Sequence, residues 1–193
     1  MHFCATCDGA FYRGKDVLVI GGGNSAGEES IFLTKFAKRV TIVTRDAELS
    51  ASKVVVEKVE EHLAIDILAS SSPVEFRGDG KLQSVVIKNN ETGATSELET
   101  SGVFVFIGLT PNTSIVKGQI SLDAMGFVVT DGVLATNVPG VFAAGDCREG
   151  STKQAASAAG EGAAVALAIR RYLQPFAGGM PDHSKVMETA AAV

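Results

Sequence analysis

Two short stretches of the chain hold residue types spaced for chemistry. Cys4-Ala5-Thr6-Cys7-Asp8 sets two thiols three positions apart, with a carboxylate beside the second. Such a pair can close into a small disulfide ring, and a thiolate in it is activated when its pKa drops. Asp8 is placed to pass a proton during dithiol–disulfide exchange; its plainer role is a turn carboxylate before Gly9. Structural zinc needs four ligands, but there is no second Cys-x-x-Cys, and His2, His62 and His183 are scattered. A thioredoxin-like domain places the pair after a strand and at a helix start, whereas only Met1, His2 and Phe3 precede Cys4. A redox pair serving a neighbouring nucleotide site is the favoured reading, with inert cysteines as the alternative. Cys147 has no partner in sequence and reads as a buried small residue.

The second stretch is Gly21-Gly22-Gly23-Asn24-Ser25-Ala26, a G-x-G-x-x-A pattern. Gly21 makes a tight turn, Gly23 lets the backbone approach a pyrophosphate, and Ala26 lets a helix lie close to a strand. The helix start offers N–H groups and a positive dipole end to phosphates. A Gly-rich turn kept only for packing is the alternative. The end of the next strand selects the cofactor: an acid there accepts from a ribose hydroxyl, whereas cations hold a 2′-phosphate. Thr44 stands at the acid position, Arg45 follows, and Asp46 opposes Arg45, with Lys53 as a further cation. NADPH is favoured over NADH; a surface Arg–Asp pair without a cofactor role is the alternative.

These residues need elements to hold them. The run 16–20 is apolar after Asp16 and ends in three glycines, which predicts a buried parallel strand. Asn24 and Ser25 are expected to cap a helix that continues through Ile31, Phe32, Phe36 and Ala37. A strand over 39–43, a helix over 52–62 with Val55, Val56, Val59 and Leu63 on one face, and a strand over 65–68 follow. This order is the first half of a doubly wound α/β sheet. Beyond Ser70, short alternating runs broken by Gly-Asp-Gly and Asn-Asn-Glu-Thr-Gly predict a three-stranded antiparallel meander, then a buried strand over 103–107. The later segment predicts a hairpin over 126–136, a strand over 140–144, a helix over 154–173 closed by Ile169 and Leu173, and a loose tail.

Composition agrees with a globular chain: of 193 residues, 46% are hydrophobic and 20% charged, room for one ordinary domain or two small ones. Net charge is −5 and no Lys/Arg cluster stands out, so no nucleic-acid partner is expected. No apolar run approaches the ~18 residues of a membrane span. The first residues lack a signal-peptide pattern, and a cytoplasmic location is expected.

Together these residues resemble thioredoxin reductase of the low-molecular-weight bacterial type, a class II pyridine nucleotide-disulfide oxidoreductase, over nearly the whole chain. The resemblance implies a Rossmann-like three-layer FAD/NAD(P)-binding fold with an antiparallel meander, plus the C-terminal part of a second such domain. It divides the chain into a redox-active segment (1–8), an NAD(P)H-binding domain (9–108), the C-terminal portion of an FAD-binding domain (109–174) and a loose tail (175–193). Electrons would run from NADPH to FAD, to the disulfide, and on to thioredoxin. Cys7 would lie nearest the flavin, Cys4 would attack the partner's disulfide, and Asp8 would be the general acid. Gly21 to Ala26 with Thr44 and Arg45 would hold NADPH, with Ile107 and Gly108 near the nicotinamide. Thr136 to Asp146 is similar to the family's second flavin motif, which places Gly145 and Asp146 on FAD; Lys153, Gln154 and Ala155 open the helix that touches the flavin ring. A homodimer is the family habit.

Two departures shape the expectations. The family's His-Arg-Arg run with a further Arg is here Thr44, Arg45, Asp46 and Ser50, so one cation of the set remains. The family's N-terminal segment, with the FAD domain's own G-x-G-x-x-G, has no counterpart, so the chain reads as the back part of a longer reductase that binds FAD weakly or not at all by itself. The alternatives are an NADH-preferring flavoprotein reductase of a peroxide-reducing system, a non-catalytic nucleotide-binding fragment completed by another chain, and a reductase with another donor such as ferredoxin.

Overall fold

The computed structural model describes residues 1–176. The chain forms two compact units, Met1–Gly108 and a second beginning at Leu109. The expected tail falls, from residue 177 onward, outside the described residues.

The first unit runs α1 (Ala5–Asp8), a 3₁₀ turn (Gly9–Tyr12), β1 (Asp16–Ile20), α2 (Asn24–Leu33), β2 (Arg39–Val43), α3 (Lys53–Glu60), β3 (Ile65–Leu68), β4 (Ser71–Gly78), β5 (Leu82–Asn89), β6 (Thr95–Glu99) and β7 (Gly102–Val105). Four strands make a sheet of order β3-β2-β1-β7, every pairing parallel. The other three make the antiparallel meander β4-β5-β6.

The period of two along a strand builds the three layers. Val17 and Val19 of β1 pack with Val40, Ile42 and Phe104 against Ala26 and Leu33 of α2 and Val55 and Val59 of α3. Leu18, between them, points the other way and joins Val43 and Val103 against Val85 and Ile87 of the meander. Both sheet faces are thus covered, which is why β1 reads as a continuous apolar run. α2 and α3 lie so close that a Cβ on Gly27 would come within 2.4 Å of Val55.

Several boundaries differ from expectation. α2 stops at Leu33, where the Thr34 hydroxyl donates to the Ile31 carbonyl at 2.7 Å; Phe36 and Ala37 pack from the turn that follows. Gly23, not Asn24, is the N-cap of α2, and the Asn24 side chain instead accepts from the Ser52 N–H at 2.7 Å. The apolar face of α3 ends at Val59, and Leu63 is 96% exposed. β7 ends at Val105, leaving Ile107 exposed.

In the second unit the expected hairpin and the strand over 140–144 form no ladder. Single bridges join Leu122 to Val128, Val128 to Arg148 and Ala135 to Phe142. Carboxylates shape the loops: Asp123 accepts from the N–H groups of Met125 and Phe127, and Asp131 from those of Val133 and Ala135. The helix α4 (Ala155–Leu173) forms and ends at Leu173 as predicted, but none of its residues is buried. Among the described residues, no helix is long and apolar enough to cross a membrane.

Candidate functional site

Cys4 and Cys7 form a disulfide, their Cα atoms 5.4 Å apart. Cys4 is the N-cap of the one-turn helix α1, and its sulfur accepts from the Cys7 N–H at 3.1 Å. A donor fixed on that sulfur favours its thiolate once the bond is reduced. Ala5 anchors the turn in the core, while Cys4 is half-buried and Cys7 exposed, so the ring is accessible. The Asp8 carboxylate meets His2 Nδ1 at 2.9 Å. In the sequence His2 is one of three scattered histidines, and nothing there marks this contact. Cys147 is half-buried rather than buried, with its Sγ–H toward the Ala144 carbonyl at 3.5 Å.

The glycine turn lies at the C-terminal ends of β1 and β2. The chain winds from β1 to β2 and β3 on one side, while β7 pairs on the other, so β1 marks a topological switch point, where doubly wound sheets bind ligands. A cavity of about 550 Å³ opens there, lined by Gly21, Gly22, Gly23, Thr44, Arg45, Ile107 and Gly108 together with neighbouring residues. Asn24, Ser25 and Ala26 form the first turn of α2.

The glycines differ in what they permit. Gly21 has φ +142°, and a Cβ there would sit 2.3 Å from the Phe106 carbonyl oxygen. At Gly22 a Cβ would come within 2.4 Å of the Thr44 hydroxyl oxygen, so buried Thr44 packs beneath the turn. At Gly23 the nearest atom is the Ser50 hydroxyl oxygen, 4.0 Å away. Gly23 therefore leaves room for a ligand where α2 begins, and the backbone cradle fits a pyrophosphate. The charge set is sparser. Arg45 Nε pairs with Asp46 at 3.3 Å, both side chains exposed, and Lys53 leans toward Glu57 at 3.8 Å.

The flavin candidates gather around the start of α4. The Gly145 N–H donates to Glu161 at 2.7 Å, and Arg148 closes on the same carboxylate, its Nε at 3.0 Å. The Arg148 guanidinium, with the Gly145 N–H, pushes the Glu161 carboxyl down to about 2. Lys153, in a left-handed conformation at φ +58°, donates to the carbonyls of Asp146 and Arg148, both at 2.8 Å, and lies over the Phe127 ring. Gln154 is the extended N-cap of α4 and Ala155 its first residue. With Gly145 and Lys153 engaged internally, this unit offers a flavin the exposed Asp146 carboxylate, an acceptor for hydroxyl groups, and the start of α4. Those two features fit the group. Nothing in the sequence around Glu161 or Arg148 marks this ion pair.

The chain matches the model of the family described as pyridine nucleotide-disulphide oxidoreductase over residues 1–162. The thioredoxin reductase of Peptoclostridium litorale is 44% identical over 180 residues, covering 90% of this chain and 57% of that protein. That of Chlamydia trachomatis is 45% identical over 174 residues, covering 89% and 56%. Among solved structures, thioredoxin reductase from Streptococcus pyogenes superposes with a TM-score of 0.83 at 39% identity, covering 90% of this chain and 57% of that one. The enzyme from Giardia duodenalis gives 0.78 at 40% identity, covering 89% and 57%. The chain spans a little over half the length of the curated relatives it matches.

Proposed function

The chain belongs to the pyridine nucleotide-disulphide oxidoreductase family, and from that premise we propose that it is the part of a thioredoxin-disulfide reductase carrying the nicotinamide site and the redox disulfide. The observation that carries this reading is the pairing, within one compact unit, of an accessible Cys4–Cys7 disulfide with a dinucleotide cradle at a switch point. When bound, NADPH supplies hydride and FAD relays the electron pair to the disulfide. The residues 9–108 form the nicotinamide domain and 109–174 the C-terminal portion of a flavin domain.

Each residue then has a task. Gly21 to Ala26 seat the pyrophosphate, Thr44 braces the turn, Arg45 faces the adenosine end, and Ile107 and Gly108 flank the nicotinamide. Gly145, Asp146, Lys153, Gln154 and Ala155 build the flavin side. Cys7 takes electrons, Cys4 hands them on, and Asp8 serves as the acid. Thioredoxin is the partner, in a homodimeric cytoplasmic enzyme. NADH is a second reading, favoured by the Arg45–Asp46 pair, which neutralises the cation a 2′-phosphate would use.

A trapping experiment tests the roles of the sulfurs. With Cys7→Ser, the Cys4 thiolate opens a thioredoxin disulfide, releases one thioredoxin thiol and stops as a stable mixed disulfide visible by non-reducing electrophoresis. Cys4→Ser should trap far less. Trapping through Cys7 alone, or through neither residue, contradicts the assignment.

A further inference from the structure

His2 is held more firmly than its place in the sequence announces. Its N–H donates to the Val103 carbonyl at 2.8 Å and its carbonyl accepts from the Val105 N–H at 2.9 Å, so its backbone extends the parallel sheet beside β7. Its ring packs against Phe104 and Tyr12, with centroids 5.1 and 5.2 Å away. The Tyr12 ring in turn covers Gly102, where a Cβ would come within 2.2 Å of it. From this seat His2 reaches two groups: Nε2 lies 2.6 Å from the Tyr12 hydroxyl, and Nδ1 lies 2.9 Å from the Asp8 carboxylate. Burial, and then the nearby Asp8 carboxylate, raise the Tyr12 phenol above its ordinary value. A phenol that keeps its proton donates to Nε2, and in the tautomer this selects the Nδ1–H points at Asp8.

We infer that the Tyr12–His2 pair is a positioning device for Asp8, orienting its carboxyl for proton transfer in dithiol–disulfide exchange. The inference rests on Asp8 being the acid. The Asp8 carboxylate first accepts the Cys4 proton; the Cys4 thiolate attacks the partner's disulfide, the partner's S–S bond breaks, a Cys4–partner S–S bond forms, and the departing sulfur takes that proton from Asp8. The Asp8 carboxylate then accepts the Cys7 proton, and the Cys7 thiolate attacks the Cys4 sulfur. The ring disulfide re-forms, and the second partner sulfur leaves with that proton from Asp8. Two electrons pass from the dithiol to the partner's disulfide, and both protons pass through Asp8. Each time Asp8 is ionised, the His2 Nδ1–H holds it in place.

The test uses the chain with its disulfide chemically reduced and two probes: hydroxyethyl disulfide, whose leaving thiolate is basic and needs a proton, and dithiobis-nitrobenzoate, whose leaving thiolate does not. His2→Phe keeps the ring stacking and removes both nitrogens. It should slow reaction with hydroxyethyl disulfide about tenfold, short of the hundredfold or more of a whole general acid, and slow the aromatic probe far less. Tyr12→Phe keeps its ring over Gly102 and should show the same pattern at about twofold to threefold, with Asp8→Asn showing it most strongly. If His2→Phe and Tyr12→Phe match the unaltered chain with both probes, or slow both alike, the inference is overturned. If Asp8→Asn shows no discrimination between probes, the acid assignment falls as well, which separates the two failures.

Discussion

The parallel sheet of Met1–Gly108 is covered on both faces, whereas α4 of the second unit runs for nineteen residues and buries none of them. In the first unit, apolar packing fixes the ends of β1, β2 and β7, and the cradle follows from where those strands stop. In the second, Phe127, Val128 and Leu134 are the buried apolar residues among those described, and individual hydrogen bonds fix the turns: Glu161 to Gly145, Asp123 and Asp131 to their loops, Lys153 to two carbonyls. A site set by a core is lost cooperatively with the fold; a site set by a few polar contacts can be detuned one contact at a time.

That contrast can be broken or sharpened by substitution. The largest effect is expected at Leu18, fully buried between sheet and meander. Leu18→Ala should cost the first unit about 2–5 kcal/mol in urea unfolding, and a loss under about 1 kcal/mol would mean that this core does not hold the strands. Next comes the glycine turn. Gly21→Ala meets the Phe106 carbonyl in a left-handed conformation and should destabilise the unit by about 1–3 kcal/mol while removing nucleotide binding. Gly23→Ala should cost the unit less than about 1 kcal/mol, because its Cβ lies 4.0 Å from the nearest atom and only an N-cap preference is lost, yet weaken nucleotide binding about tenfold, or about 1.4 kcal/mol. Calorimetric titration with NADPH and NADH, paired with thermal melts, separates the two; equal behaviour would deny Gly23 its place against the ligand.

Glu161 tests the second unit through pH. Its folded-state pKa is depressed from 4.5 to about 2, so its contribution is fully present above about 4.5 and is lost as pH falls through about 2. Glu161→Gln should weaken the second unit at neutral pH and flatten its acid response between those values, followed by circular dichroism of α4. An unchanged acid response would contradict the role given to this carboxylate. The smallest effect is expected on α4 itself: Leu167, 57% exposed, should tolerate alanine within about 0.5 kcal/mol. A larger cost would show that α4 is covered in solution.

How legible each feature was follows from how local its cause is. The run Asp16–Ile20 and the glycines after it announce a buried strand and a tight turn, because burial on two faces and backbone clearance write themselves into consecutive residues. The meander was legible from its turns. Leu63 misled, since the helical period continues on paper after α3 has ended at Glu60. The strand expected over 140–144 has strand-like residues but finds a single bridge, Ala135 to Phe142, and a ladder requires a neighbour that composition does not name. His2 and Glu161 were not legible. Their contacts are with partners distant in sequence, β7 for His2 and the Gly145–Arg148 turn for Glu161, and neither residue type signals such a contact.

The central claim is that the glycine cradle and the Cys4–Cys7 pair are two stations on one path of electrons. The most direct measurement is NADPH-driven reduction of thioredoxin by this chain joined to the part of the Peptoclostridium litorale reductase that it does not match. Turnover that falls to background in Cys4→Ser and Cys7→Ser, and sharply in Gly21→Ala, is the predicted result. Turnover that survives both serine replacements would contradict it.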